Sequence, residues 1–349
     1  MSVKKRVNIA VTGLNAVDSP GPGVPVIRGL KESKSFEAVI TGLAYETLEP
    51  GIYMEGLANR SYLIPYPTDG IDALLDRLLF IHSREKLDVI IPNFDAELFS
   101  FMKLEPALKQ HGIHMFLPTF EQFEERQKTN LSAFGIKCGI PVPEGKTVSS
   151  VPELEKVTYQ LGFPVMVKGR FYEAFIAYNL EQAIERFHKI AAKWGIPIVV
   201  QQFVKGTELN VTGLGDGKGN TLAAVAMRKQ YITDKGKAWA GITINDPVLL
   251  EITRKFISGS NWRGAFELEI MKTDSGTYYL MEINPRIPAW IYLAIATGQN
   301  IPESLVNLAL DNPVKPFDNY EVGKLFIRYS YDLIVDRSKF ENLAVFGEL

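Results

Sequence analysis

The stretch GAFELEIMKTDSGTYYLMEINPR, from Gly264 to Arg286, reads as two strands joined by a turn. Alternation over Phe266 to Ile270 and over Tyr278 to Asn284 has the two-residue period of a half-buried sheet, and Thr273-Asp274-Ser275-Gly276 between them has turn chemistry. Side chains two apart on a strand share a face, so Glu267 and Glu269 point one way, and Glu282, Asn284 and Arg286 line one face of the second strand. The partners Phe266, Leu268, Ile270, Leu280 and Ile283 make a buried sheet with one polar face the better reading than a solvated surface hairpin. Two facing rows of carboxylates repel unless a cation or basic group lies between them, and hard oxygen ligands suit Mg²⁺ carrying a nucleotide.

The pattern resembles the ATP-grasp superfamily, whose last strands carry an acid, then a Glu-x-Asn pair about a dozen positions later that often continues as Asn-Pro-Arg. The resemblance implies Glu269, Glu282 and Asn284 as metal ligands for Mg²⁺ or Mn²⁺. Glu267 competes with Glu269, because a symmetric hairpin register sets Glu267 opposite Glu282 and leaves Glu269 diagonal. Family spacing favours Glu269. Further residues carry the same resemblance. In VVQQFVKGTE, Val199 to Glu208, Gln201 and Glu208 have the spacing of the ATP-grasp hinge. By resemblance, Gln201 and the backbone of Phe203 and Val204 hold the adenine edge, and Glu208 accepts from the ribose. Donor groups on the ligand call for such acceptors in a dry slot.

Lys128 and Lys168 fit the phosphates. A lysine closing the apolar run Phe163 to Val167 must reach water or an anion. Arg228 and Lys229 are further candidates for the terminal phosphate, with the loop at Lys235 and Lys237 a weaker one, and a solvated face is the default for the three lysines. Arg286 completes the cationic side, and with Arg228 it is the expected catalytic group. Two departures from the family pattern stand out. The loop after Lys168 has one glycine and the aromatics Phe171 and Tyr172 instead of a glycine-rich run, and Glu267 stands where some peptide-forming relatives carry arginine.

The rest of the 349 residues fits an α/β and α+β chain of the ATP-grasp fold. The N-terminal third alternates β-rich runs (Val7-Gly13, Ala38-Gly42, Tyr62-Tyr66, Val89-Pro92, Met115-Pro118) with helical ones, which predicts a Rossmann-like parallel sheet. Its first turn holds Gly13, Gly21 and Gly23 but not the dinucleotide spacing. Asp95, just past the end of the strand Val89-Pro92, reads as a helix N-cap in preference to a substrate contact. A helical segment runs from Thr119 to about Gly135, and Pro141 and Pro143 then mark a boundary. The expected units are residues 1–120, a linker helix and small α+β lid over 121–204, and a C-terminal antiparallel sheet with helices over 205–349.

With 38 basic and 40 acidic residues, a net charge of −2 gives no electrostatic reason to expect nucleic acid or an anionic membrane. No segment reads as a signal peptide or transmembrane span. The lone Cys138 excludes a disulfide framework, reads as packing, and fits a cytoplasmic location. No nucleophile motif is present, and the four histidines lie outside the motif regions. The resemblance implies an ATP-dependent ligase joining a small-molecule or peptide carboxylate to an amine through an acyl phosphate, on the carbamoyl-phosphate-synthase and biotin-carboxylase-like branch. Trp239, Trp290 and Tyr292 are candidates for the acceptor pocket, with a core role the expected one for each. A carboxylating or kinase-type enzyme, or a non-catalytic nucleotide-binding protein, are the alternatives. Members of the superfamily often dimerise, so a homodimer is also expected.

Overall fold

The computed structural model describes residues 4–16, 20–169, 173–234 and 236–349. Phe171, Tyr172 and Lys235, which the sequence singles out in the lid loop and the basic loop, lie outside the described residues.

The chain opens with β1 (Lys5–Val11), α1 (Gly23–Lys31), β2 (Phe36–Ala44), β3 (Arg60–Leu63), α2 (Ile71–Glu85), β4 (Val89–Ile91) and α3 (Asp95–Gln110). These four strands form a parallel sheet in the order β3-β2-β1-β4. Met115-Pro118 is not a strand: His114 alone bridges to Val89, because Pro118 and the short run leave no continuing ladder. The helical segment expected from Thr119 divides into α4 (Phe120–Glu125) and α5 (Leu131–Cys138). Thr119 caps α4 by accepting from the Gln122 backbone amide at 3.2 Å, while the Gln122 side-chain oxygen accepts from the Thr119 backbone amide at 3.0 Å.

Next come β5 (Gly145–Val148), α6 (Val151–Leu161), β6 (Val165–Lys168), β7 (Ala174–Ala177), α7 (Leu180–Trp194) and β8 (Ile198–Gln202). The four strands form an antiparallel sheet, β5-β8-β6-β7. Its buried face packs Val148, Val165, Val167 and Val200 against Leu154, Phe187 and Ile190, a core separate from those of the other two sheets. A unit with its own core can move as a body.

The chain then builds β9 (Thr207–Asp216), β10 (Thr221–Ile232), β11 (Ala238–Thr243), α8 (Pro247–Ser260), β12 (Arg263–Lys272), β13 (Tyr278–Asn284), α9 (Ile291–Ala296), α10 (Ile301–Ala309), β14 (Leu325–Ile327) and α11 (Arg337–Phe346). The large antiparallel sheet runs β13-β12-β9-β10-β11-β14. On its back face Leu209, Val211, Phe266, Leu268 and Ile270 pack against α5 and α8 through Phe134, Leu249 and Phe256, and Cys138 is buried in the same core. The alternate residues form the front face. Leu214, Val225 and Ala265 share one core with Ile9, Val11 and Ile27, which joins this sheet to the N-terminal one. The C-terminal residues add to that junction: Ser61 and Leu349 exchange backbone hydrogen bonds of 2.8 and 2.9 Å beside β3.

Candidate functional site

Hairpin register decides which carboxylates meet. Glu269 lies directly opposite Glu282 and Glu267 opposite Asn284, with a bulge between Glu269 and Ile270. The symmetric register, which sets Glu267 against Glu282, is not adopted: the turn pairs Lys272 with Tyr278 and Ile270 with Leu280, and the bulge then brings Glu282 opposite Glu269. On the other side of β12, Glu269 pairs with Asn210 and Glu267 with Thr212, so all four side chains stand on the front face.

The two β12 carboxylates differ in what surrounds them. Glu267 is buried and accepts from Trp290 Nε1 at 2.6 Å, Asn210 Nδ2 at 3.2 Å and Asn284 Nδ2 at 3.2 Å. Three of its roughly four acceptor positions are filled by protein donors. Glu269 receives one long bond, 3.3 Å from Asn284 Nδ2. Burial, then Glu282, then Glu267 push the Glu269 carboxyl up to about 8, with Lys229 acting against them. Two acids facing each other in a partly dry site titrate apart unless a cation intervenes.

Cations arrive from three elements. Lys128, in the link between α4 and α5, stands 3.5 Å from Glu282. Lys168, 9% exposed at the end of β6, donates to Gln201 Oε1 at 2.7 Å, and Gln201 in turn donates to the Pro143 carbonyl at 3.3 Å. Burial, then the neighbouring Lys128, lower the Lys168 ammonium to about 8, while Glu282 and Glu269 oppose the shift. Gln201 is thus a buried partner of Lys168 instead of an exposed strand end. Phe203 is half-buried and Val204 buried in the link from β8 to β9. Gly206 closes that link where a Cβ would fall 2.2 Å from the Lys272 carbonyl, so only glycine lets β8 turn into β9 against the hairpin.

Lys229 pairs with Glu208 and donates to the Gly236 carbonyl at 3.1 Å. Burial lowers its ammonium, but Glu269 and then Glu208 outweigh this and hold it above the usual lysine range. Arg228 is not brought to this cluster. It lies opposite Leu209, a back-face residue, and is exposed there, because successive strand residues alternate faces. Of the two candidates for the terminal phosphate, Arg228 therefore stands away from the front-face acids and Lys229 stands among them.

Arg286 reaches across to the N-terminal sheet, its Nε 2.5 Å from Asp95 Oδ2. Asp95 Oδ1 lies 3.4 Å from Arg126 Nη1. Burial works against the Arg286 guanidinium, but Asp95 and then Glu267 hold it above the ordinary value. Asp95 is the first residue of α3 and not its cap. Phe94 holds the cap position, and Glu97 accepts from the Phe94 amide at 2.9 Å.

Arg126 and Arg328 escaped the sequence reading. Arg328 follows edge strand β14, its amide donating to the Trp239 carbonyl at 2.9 Å. Burial lowers its guanidinium to about 10, with Glu267 opposing. No local motif marks it, and only the placement of β14 beside β11 brings it toward Glu267. Trp290 is buried but also anchors Glu267, whereas Tyr292 lies away, its hydroxyl donating to Glu32 at 2.5 Å.

Among the described residues no group of three or more His, Cys, Asp or Glu is gathered tightly enough to hold a metal alone. Two opposed carboxylates and an amide oxygen suit an ion that takes its remaining oxygens from a bound phosphate or water, the habit of Mg²⁺. No helix among the described residues is long and apolar enough to cross a membrane.

Residues 196–326 match the family described as ATP-grasp in the biosynthetic pathway with Ter operon. The carbamoyl phosphate synthase large chain of Agathobacter rectalis is 22% identical over 274 residues, which cover 74% of this chain. This chain spans about a quarter of that relative's length, the matched part being 25% of it. The biotin carboxylase domain of Hydrogenobacter thermophilus 2-oxoglutarate carboxylase, a dimer in complex with MgADP, ADP and bicarbonate, superposes with a TM-score of 0.71 at 17% identity, covering 93% of this chain and 74% of that one. Thermotoga maritima N5-carboxyaminoimidazole ribonucleotide synthetase gives a TM-score of 0.62 at 21% identity, with 89% and 77% covered. The chain has the ATP-grasp fold and carries an ATP-grasp domain, with homology in sequence to carbamoyl phosphate synthase.

Proposed function

We propose that this chain is an ATP-dependent ligase that activates a small-molecule or peptide carboxylate as an acyl phosphate and passes the acyl group to an amine. The observation that carries the reading is the opposition of Glu269 and Glu282, with Lys128 3.5 Å from Glu282 and the Lys168 ammonium close enough to feel both acids. The Hydrogenobacter neighbour, a complex with MgADP and bicarbonate, supports the choice of nucleotide and metal.

In this reading Glu269, Glu282 and Asn284 would hold Mg²⁺ or Mn²⁺, which when bound would neutralise negative charge on the phosphates. Lys128 and Lys168 hold the phosphates. Lys229, with its ammonium kept charged by Glu208 and Glu269, faces the terminal group. Gln201 and the backbone of Phe203 and Val204 take the adenine edge, and the second oxygen of Glu208 stays open for the ribose. Arg286, braced by Asp95, binds the carboxylate oxygen and later the oxyanion that forms when the amine attacks. Arg328 and Glu267 define the far end of the substrate space. No protein nucleophile takes part.

The units follow the same reading: residues 1–120 for substrate, a lid over 121–204 that closes on the nucleotide, and the metal-bearing sheet over 205–349. The separate core of the lid supports its motion. A cytoplasmic homodimer is proposed with it, the dimer resting on the dimeric Hydrogenobacter neighbour. Trapping with hydroxylamine tests the chemistry. Hydroxamate formed from a carboxylate only when Mg-ATP is present supports an acyl phosphate. ADP released with carboxylate but without hydroxamate rejects it in favour of a stable phosphorylated product.

A further inference from the structure

A second set of side chains, unused by the nucleotide chemistry above, gathers at the carboxyl ends of the parallel strands. Connections from β1 run outward through β2 to β3, then return to β4 on the other side of β1, which opens a crevice at that reversal. Thr12 leaves β1, Tyr45 leaves β2 and Asn93 leaves β4 there. Glu97 is wholly buried beneath them and accepts from Thr12 Oγ1 at 2.5 Å, from the Asn93 and Phe94 amides at 2.6 and 2.9 Å, and from the Tyr45 hydroxyl. Glu49, 5% exposed, accepts from the Tyr45 amide at 2.8 Å.

Three observations point to a ligand that carries positive charge and N–H donors. Neither Glu49 nor Glu97 pairs with a lysine or arginine among the described residues. Glu49 Oε2 is buried with no donor. Asn93 is fully buried and commits its amide nitrogen to the Thr12 and Ile91 carbonyls at 2.9 and 3.1 Å, which turns Oδ1 away from them, and that oxygen also has no donor. Buried acceptors of this kind are satisfied in nearly all folded proteins, so two together call for a partner. The walls are aromatic. Tyr45 stacks on Tyr66 with centroids 5.5 Å apart and meets Phe94 at 6.2 Å, and Tyr66, 44% exposed, donates to Glu46 at the rim at 2.9 Å. Ring faces beside carboxylates suit an alkylammonium better than a hard metal ion, and no metal-holding cluster is present among the described residues.

We propose that this crevice binds the primary ammonium group of a small amine, the acceptor substrate of the ligase reaction. The clause about the reaction rests on the function proposed above; the binding site itself does not. Position supports the link. Along the same strand exit, Asp95 lies between Phe94 and Glu97 and holds Arg286, so an amine seated here is carried on the segment that braces the acyl-transfer end. Burial, the first cause, pushes the Glu49 carboxyl up to about 7, with the Tyr45 and Glu46 amides acting against it, and an incoming ammonium would restore its charge.

The test uses the full chain without nucleotide, titrated with n-butylammonium chloride, with N-butylacetamide as the neutral control and KCl at matched ionic strength. A rise in thermal midpoint with butylammonium alone is expected. Glu49→Gln and the surface change Tyr66→Ala should each raise the concentration needed by about tenfold, the size of one lost charge-assisted or cation–π contact. An equal response to the neutral amide or to KCl, or an unchanged response in a folded Tyr66→Ala protein, overturns the site. Because no ATP is present, loss of the ligase reading leaves this result standing. Carboxylate-dependent ADP release whose amine KM is unmoved in Tyr66→Ala rejects the site and leaves the ligase.

Discussion

Glu269 and Glu282 stand directly opposite each other across β12 and β13, with Lys128 3.5 Å from Glu282 and Asn284 bridging Glu269 to Glu267. The pair repels in isolation, and burial has raised Glu269 to about 8. Replacing Glu282 by Gln or Asn284 by Asp should lower turnover at fixed Mg²⁺ on the order of a hundredfold while the protein stays folded, since neither change empties a core position. Circular dichroism together with ADP release checks this. Wild-type rates in a folded variant contradict the metal assignment.

Lys168 offers a test by pH. Its ammonium titrates at about 8, so it is charged below that pH and neutral above it. ATP affinity should therefore begin to fall as pH rises through about 8, well below the range of a solvated lysine. Lys168→Ala should weaken ATP by roughly thirtyfold, or about 2 kcal/mol, and abolish the inflection. Calorimetry across the pH range measures both, and an affinity indifferent to the substitution leaves Lys168 a strand-end cation.

Arg228 and Arg328 should behave oppositely although both are arginines on strand-like segments of one sheet. Arg228→Ala, on the exposed back face, should leave turnover unchanged and stability within about 0.5 kcal/mol. Arg328→Ala should raise the KM for the carboxylate or amine by roughly tenfold with ATP affinity intact. Steady-state kinetics on both proteins, run side by side, decide the point.

Asp95→Asn removes the carboxylate that braces Arg286 and keeps its shape. The expected result is a lower kcat at unchanged ATP affinity, with about 2 kcal/mol lost in stability because the guanidinium stays partly buried without its partner. Equal kcat in wild type and variant contradicts a bracing role.

Period-two patterns made the hairpin, the front-face acids and the parallel sheet legible from sequence, since long alternation and β-rich runs depend on local chemistry. The bulge after Glu269 left no such trace, and it decides which acids face each other. Arg228 and Lys229 are adjacent in sequence, so only the parity of β10 separates them. Arg328 depends on a three-residue edge strand pairing with β11, and Asp95 on a contact 191 residues away. Such long-range placements have no signature in a local window. The short β5, half exposed, was illegible for the same reason that it is marginal: too few residues to show a period.

The most direct test is ADP release from Mg-ATP by purified wild-type and Glu282→Gln protein, across pooled carboxylates, bicarbonate included, with and without amines. The account predicts release that needs a carboxylate, rises with an amine, and falls on the order of a hundredfold in the variant. Release that is independent of any carboxylate, or equal in the two proteins, contradicts it.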